Sequence, residues 1–294
     1  MKEMIAYLYN IDIIETLNYK NDLIFKTNNT HYLYKEVAEP EKILFINKYL
    51  IILNQYNFFS YIFKTNIYNE IISKNNNINF VLIDIGCNYK KTIDLDDMIT
   101  FYKRSNLLLK QNIKYQNNWD SLWENKIDYI TSHFMINYNS HKNIDTIFYF
   151  YISVAENTLH YLNALKYKYP INNDSISFTH RRIFFPNAGF DFYNPLNFII
   201  DLEVRDIGEY IKTLFYNHDD YVNELHYYLK THNLDFYTTS YLYVRIIYPS
   251  IFFDDYESNN IDINKYCNLD NYYNFSKKIY EIISSYIKID EIKF

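Results

Sequence analysis

The sequence predicts an α+β fold, with a small β-rich part over residues 1–86 and a larger helical part over residues 87–294. Three observations point there. Short β-favouring runs separated by turn residues crowd the first part. Long segments with helix starts fill the second. The chain of 294 residues, 49% hydrophobic and 22% charged, is long and apolar enough to bury a sizeable core.

In chain order, residues 22–26 and 31–37 read as strands joined by the hairpin turn Thr27-Asn28-Asn29-Thr30. Glu39-Pro40-Glu41 opens a helix, with proline in the first turn and carboxylates at the positive end of the dipole; residues 43–53 continue it. Strands follow at 61–64, 70–73 and, after the polar run 74–77, at 78–85. Gly86-Cys87-Asn88 reads as a hinge. Helices are expected at 95–109 behind Asp94, at 119–138 and at 146–167, before a break at 170–174. A loop-rich, β-like stretch covers 175–202. Asp206, with Glu209 three residues on, reads as an N-cap in a capping box. Further helices are expected at 207–215, 219–231, 238–253 and 272–287. A β-rich lobe ahead of a helical lobe implies a ligand-binding cleft between them.

Composition excludes several classes. With Lys+Arg 29 against Asp+Glu 35, the net charge of −6 speaks against a nucleic-acid binder, which needs a basic stripe. Cys87 and Cys267 are neither a disulfide framework nor a zinc pair. The start Met1-Lys2-Glu3-Met4 leads into no apolar signal core, and no window approaches a membrane span. Only 3 glycines, scattered singly at Gly86, Gly189 and Gly208, rule out the glycine-rich nucleotide fingerprints. The 35 tyrosines and abundant asparagines reflect an AT-rich coding sequence more simply than a binding function. Trp119 and Trp123, at i and i+4 on one helix face, read as core. The histidines show no zinc-ligand spacing, and no GxSxG elbow is present.

The chemistry-bearing stretch runs from Phe178-Thr179-His180-Arg181-Arg182 through Asn187 to Phe198-Ile199-Ile200-Asp201. A kinase-type phosphotransferase places H-x-D-x-x-x-x-N, then an apolar strand, then Asp. His180, Asn187 and Asp201 fall at those offsets, and Arg182 stands where the central carboxylate belongs. Without the resemblance, Lys35 is a solvated strand lysine, Asn187 and Asp201 are turn and strand-end residues, and His180 is a buried structural histidine.

These residues resemble the aminoglycoside/choline phosphotransferase branch of the protein-kinase-like bilobal fold. More narrowly, the chain is similar to the bacterial spore-coat CotS and YutH proteins. The stretches Tyr32-Leu33-Tyr34-Lys35-Glu36-Val37, Ala155-Glu156-Asn157-Thr158-Leu159-His160 and Tyr243-Val244-Arg245-Ile246-Ile247-Tyr248-Pro249 carry the resemblance. So does the compressed D-x-x-x-R-D-I run from Asp201.

The resemblance implies that Lys35 contacts nucleotide phosphates with Glu41, or Glu39, as its partner. It implies a hinge over residues 83–86, with Asp84 and Ile85 facing adenine, and Asn187 and Asp201 as metal ligands for ATP and Mg2+. It makes Asp206 a structural residue that ties down the catalytic loop. Arg182 cannot act as a base, because a guanidinium stays protonated. Its expected partner is Asp201, which it would hold in place of the metal. No glycine loop is read between the first two strands. The expected protein is therefore a pseudokinase-like binding or structural protein, made in the cytoplasm and placed in the spore coat with protein partners. The alternatives are a living small-molecule phosphotransferase that uses Asp174 or Asp191 as base, and a scaffold that holds ATP without transfer.

Overall fold

The structure is a computed structural model that describes residues 1–19, 22–55, 59–87, 92–112, 117–138, 144–169, 175–181, 183, 185, 188–232 and 234–293. It is α+β, as the sequence predicts. Two compact units divide the chain, one of Met1–Leu108 with His180–Ile199 and one of Leu109–Thr179 with Ile200–Phe294. The first unit contains the whole 1–86 segment. Asn88, the last residue of the expected hinge, lies outside the described residues, as does the expected break at 170–174.

The first unit opens with α1 (Lys2–Tyr9), β1 (Glu15–Tyr19), β2 (Asp22–Lys26), β3 (His31–Glu36) and α2 (Pro40–Asn54). β4 (Ile62–Lys64), β5 (Ile72–Asn75) and β6 (Ile78–Asp84) complete its sheet. The strands run in the order β1-β2-β3-β6-β4, with β5 also paired to β6, and every ladder is antiparallel. Alternation along the strands sends Tyr32, Tyr34, Phe80 and Leu82 to one face, where they bury Ile5 and Tyr9 of α1. Leu33 and Ile83, cross-strand partners, are buried on the opposite face.

Both α1 and β1 escape the sequence reading, for a physical reason. Residues 15–18 of β1 are exposed, so this edge strand carries no period-2 pattern. Helix α1 buries only Ile5 and Tyr9. The consequence is a correction: Thr27-Asn28-Asn29-Thr30 joins β2 to β3, whereas the connection between the first two strands is Lys20-Asn21, outside the described residues. The strand expected at 70–73 is displaced to Ile72–Asn75. Its turn is Asn76-Asn77, with φ of 46° and 67°. A two-residue hairpin of this hand needs positive φ at both positions, which asparagine tolerates.

After α3 (Leu95–Asn112) come α4 (Trp119–Ile136), α5 (Asp145–Lys168), β7 (Ile176–His180), the short α6 (Gly189–Phe192) and β8 (Phe198–Leu202). β7 and β8 pair in a two-stranded sheet. Then follow α7 (Val204–Tyr216), α8 (Tyr221–Thr231), α9 (Phe236–Ile247), α10 (Ser250–Glu257), α11 (Ile263–Tyr266) and α12 (Leu269–Ser284).

Two helix readings are corrected. The single helix expected at 238–253 is two, because Pro249 forces Tyr248 out of helical geometry to ψ 125°. Asp206 is not an N-cap. Helix α7 begins at Val204 behind Glu203, since the buried stripe Val204, Ile207, Ile211, Phe215 extends back past it. Asp206 lies inside the first turn, buried.

Candidate functional site

The kinase-type residues of the first unit sit on β3 and at the end of β6. Lys35 points to the face that carries Leu33, and its ammonium pairs with Asp22. The β2–β3 register, Leu23 opposite Tyr34, sets Asp22 directly across from Lys35. The partner is therefore Asp22, a cross-strand neighbour, rather than the expected Glu41 or Glu39. The pair is partly solvated, with Lys35 41% and Asp22 21% exposed. Met1, Asp22, Leu23, Tyr34, Lys35 and Glu36 line an open pocket of about 450 Å³ there.

At the expected hinge, Asp84 turns back on its own backbone. Its Oδ1 accepts from the Gly86 N–H at 3.0 Å and from the Thr30 hydroxyl. The Ile85 N–H donates to the His31 carbonyl at 3.0 Å, and His31 Nδ1 donates to the Gly86 carbonyl at 3.1 Å. Gly86 has φ +70°, a conformation that favours glycine. These bonds tie the β2–β3 turn to residues 84–86, and they engage Asp84 Oδ1 and the Ile85 N–H.

His180, at the end of β7, is 1% exposed. Its Nε2–H donates to the Phe192 carbonyl at 2.7 Å, and its ring stacks on Phe192 at 4.5 Å. Phe101 and Phe198 complete the apolar surround, at 5.7 and 5.5 Å. This geometry holds chain segments together and commits the Nε2–H to the backbone. Arg182 and Asn187 lie outside the described residues, as does Asp174.

Asp201 ends β8 in the second unit and is 4% exposed. Its Oδ2 accepts from Arg205 Nη1 at 2.7 Å and from the Trp119 indole N–H at 2.9 Å. Its Oδ1 accepts from the Leu202 N–H at 2.8 Å and from the same indole at 3.1 Å. Among the described residues, Arg205, one helical turn on, pairs with Asp201; the expected partner Arg182 lies outside the described residues. Burial works to lower the Arg205 pKa, but Asp201 and Asp206 together hold it above its ordinary value.

A second charge cluster adjoins the first through Trp119. Arg245 lies over the Trp119 and Trp123 rings, 5.3 and 5.8 Å from their centroids. Its Nη2 pairs with Glu209 at 2.7 Å. Glu209 also accepts from Lys212 at 2.9 Å and from Ser250 at 2.8 Å. Lys212 is completely buried, and it donates to the Tyr248 carbonyl at 2.9 Å, bridging the break before α10. Burial would raise the Glu209 pKa, yet Lys212 and Arg245 hold it down at about 2. Burial pulls Lys212 down to about 8 against the attraction of Glu209. Gly208 admits this packing, since a Cβ there would lie 2.6 Å from Arg245 Cγ.

Asp201 was singled out from the sequence, but its Trp119 contact and the grouping of Glu209, Lys212 and Arg245 were not. The i, i+4 spacing of Asp201 and Arg205 was the available signal. Trp119 and Trp123 are core, as expected, and they also supply an indole donor and a cation surface.

The fold is that of the small-molecule kinases. An aminoglycoside phosphotransferase from Alicyclobacillus acidocaldarius superposes with a TM-score of 0.68 at 10% identity, covering 97% of this chain and 95% of that one. A spectinomycin phosphotransferase in complex with ADP and spectinomycin gives 0.56 at 12% identity, covering 98% and 97%. An amicoumacin kinase in complex with AMP-PNP and Ca2+ gives 0.57 at 11% identity, covering 95% and 91%. No curated protein matches the chain. The family described as "Spore coat putative kinase YutH" matches residues 2–283, and the chain belongs to that family.

Among the described residues, no helix is long and apolar enough to cross a membrane. Cys87 and Cys267 are free and exposed.

The fold family implies a metal at Asp201. A divalent cation needs carboxylate oxygens with open lone pairs. Both oxygens of Asp201 are already bonded, one of them to a guanidinium. Among the described residues, no group of three or more His, Cys, Asp or Glu could hold a metal ion. Asp201 as it stands does not fit the metal.

Proposed function

We propose that this protein is a degenerate member of the kinase-like fold, a pseudokinase that serves the spore coat as a binding or structural component with protein partners. One observation supports this reading most: the carboxylate at the metal-holding position, Asp201, is engaged by Arg205 and Trp119. Arg182 at the position of the catalytic carboxylate adds to it, because a guanidinium accepts no proton from an attacking hydroxyl. Family membership supports the spore-coat setting.

The test is a phosphate-transfer assay with ATP and Mg2+ against amino alcohols and aminoglycosides, with Asp201→Ala as control. Turnover no greater than that of the control is expected. Robust transfer that Asp201→Ala abolishes would make the protein a working small-molecule phosphotransferase, with Asp191 or Asp174 as candidate base.

A second reading, a nucleotide-binding scaffold without transfer, is favoured by the open pocket beside Lys35. A thermal shift with ATP that Lys35→Ala removes would support it, with Glu41, Asp84 and Ile85 as further candidates for nucleotide contact. No shift with ATP would end it.

A further inference from the structure

We infer that Arg205 is a built-in counter-cation that takes the place of the divalent metal at Asp201, so that this carboxylate binds the chain's own guanidinium and no Mg2+. The inference rests on the kinase-like reading, which makes Asp201 the metal-holding position.

Four observations carry it. First, the carboxylate accepts from the chain's own groups: Arg205, the Trp119 indole and the Leu202 N–H. Second, Arg205 is a cation in the first turn of α7, where the helix dipole opposes positive charge. It is held there by the acids on either side of it, Asp201 at 2.7 Å and Asp206 next in sequence. Third, the carboxylates here already have cationic neighbours. Asp201 pairs with Arg205, and Glu209 pairs with Lys212 and Arg245, so a divalent cation at Asp201 would have to displace a guanidinium already in place. Fourth, the arrangement is braced. Trp119 bonds Asp201 on one side and carries Arg245 on its ring, and Arg245 is clamped by Glu209 on the same helix as Arg205. Moving Arg205 aside for a metal would strip the carboxylate of its 2.7 Å bond to the guanidinium while leaving these neighbours in place.

The test is a Mn2+ titration of the full chain, read by electron paramagnetic resonance. Each protein is compared with its Asp201→Asn counterpart, so that only Asp201-dependent metal is counted. Wild type is expected to show none, with or without ATP. Arg205→Leu is expected to gain an Asp201-dependent site that binds roughly 10–100-fold more tightly than the weakest binding the titration detects, the range over which neighbouring groups tune a metal ligand. Asp201-dependent Mn2+ binding in the wild type would overturn the inference. So would a folded Arg205→Leu protein that gains no site, because Arg205 would then not be what excludes the metal. If Arg205→Leu does not fold, the wild-type titration against Asp201→Asn decides alone. Phosphate transfer without Asp201-dependent Mn2+ would sink the proposed function and leave this inference standing. Asp201-dependent Mn2+ without transfer would do the reverse.

Discussion

The Lys35–Asp22 pair of the first unit and the Arg205–Asp201 pair of the second differ in almost every physical respect. Lys35 is 41% exposed, and its partner is set by strand register alone. Arg205 is 14% exposed, and its carboxylate partner is also fixed by an indole and a backbone N–H. A solvated pair gains little and opens readily. A buried one leaves an uncompensated charge behind if either partner is removed. The difference teaches that the lysine is held loosely at the surface, whereas the aspartate is part of the core.

Substitutions should expose that difference, and the largest effect is expected one turn beyond Arg205. Glu209→Ala leaves Lys212 and Arg245 facing each other without their shared carboxylate. A loss of about 3–5 kcal/mol in urea-unfolding stability is expected. A loss below about 0.5 kcal/mol would fall within the range of ordinary surface changes and remove the buried cluster from the comparison.

Gly208→Ala comes next. The added methyl would lie 2.6 Å from Arg245 Cγ, close to the backbone end of a clamped side chain. Overpacking of this kind costs about 1–3 kcal/mol, visible as a lower melting temperature.

The acid limb of the stability curve sharpens the contrast. Glu209 ionises at about 2 in the fold, against an ordinary 4.5. Its folded pKa is depressed, so its contribution is present above about 4.5 and is lost as pH falls toward 2. Glu209→Gln should flatten stability against pH in that window. An unchanged slope there would mean that Glu209 is not held ionised by Lys212 and Arg245.

The smallest effect belongs to the solvated pair. Lys35→Ala should change stability by about 1 kcal/mol or less. A larger loss in chemical denaturation would mean that the two pairs are not the opposites described above.

Much of the scaffold was legible because its signals are local. Thr27-Asn28-Asn29-Thr30 forms the hairpin turn, with the Thr27 N–H bonded to the Thr30 carbonyl at 2.9 Å. Glu39-Pro40-Glu41 starts α2, and α4 and α5 fall within two residues of their expected limits. What was lost had no local signal. Residues 15–18 of β1 are exposed, and the split at Pro249 hid within an apolar run that suits one helix as well as two.

The site was legible as a motif but not as a set of partners. Asp201 was singled out by its offset from His180, and among the described residues its partners include Trp119, far back in the chain, and Arg205, one helical turn on. Likewise Lys35 was matched to Glu41 along the chain, whereas the sheet register supplies Asp22. Spacing finds residues with the right chemistry, and long-range packing decides what they hold.

Whether Asp201 serves the fold or the chemistry can be measured on a single variant with two readouts. Asp201→Ala strands the Arg205 guanidinium and the Trp119 indole N–H. The expected result is a loss of about 3–5 kcal/mol in stability with no change in ATP-dependent phosphate transfer, which stays at background in both proteins. A variant as stable as the parent, whose transfer is abolished from a robust starting rate, would contradict the structural role of Asp201.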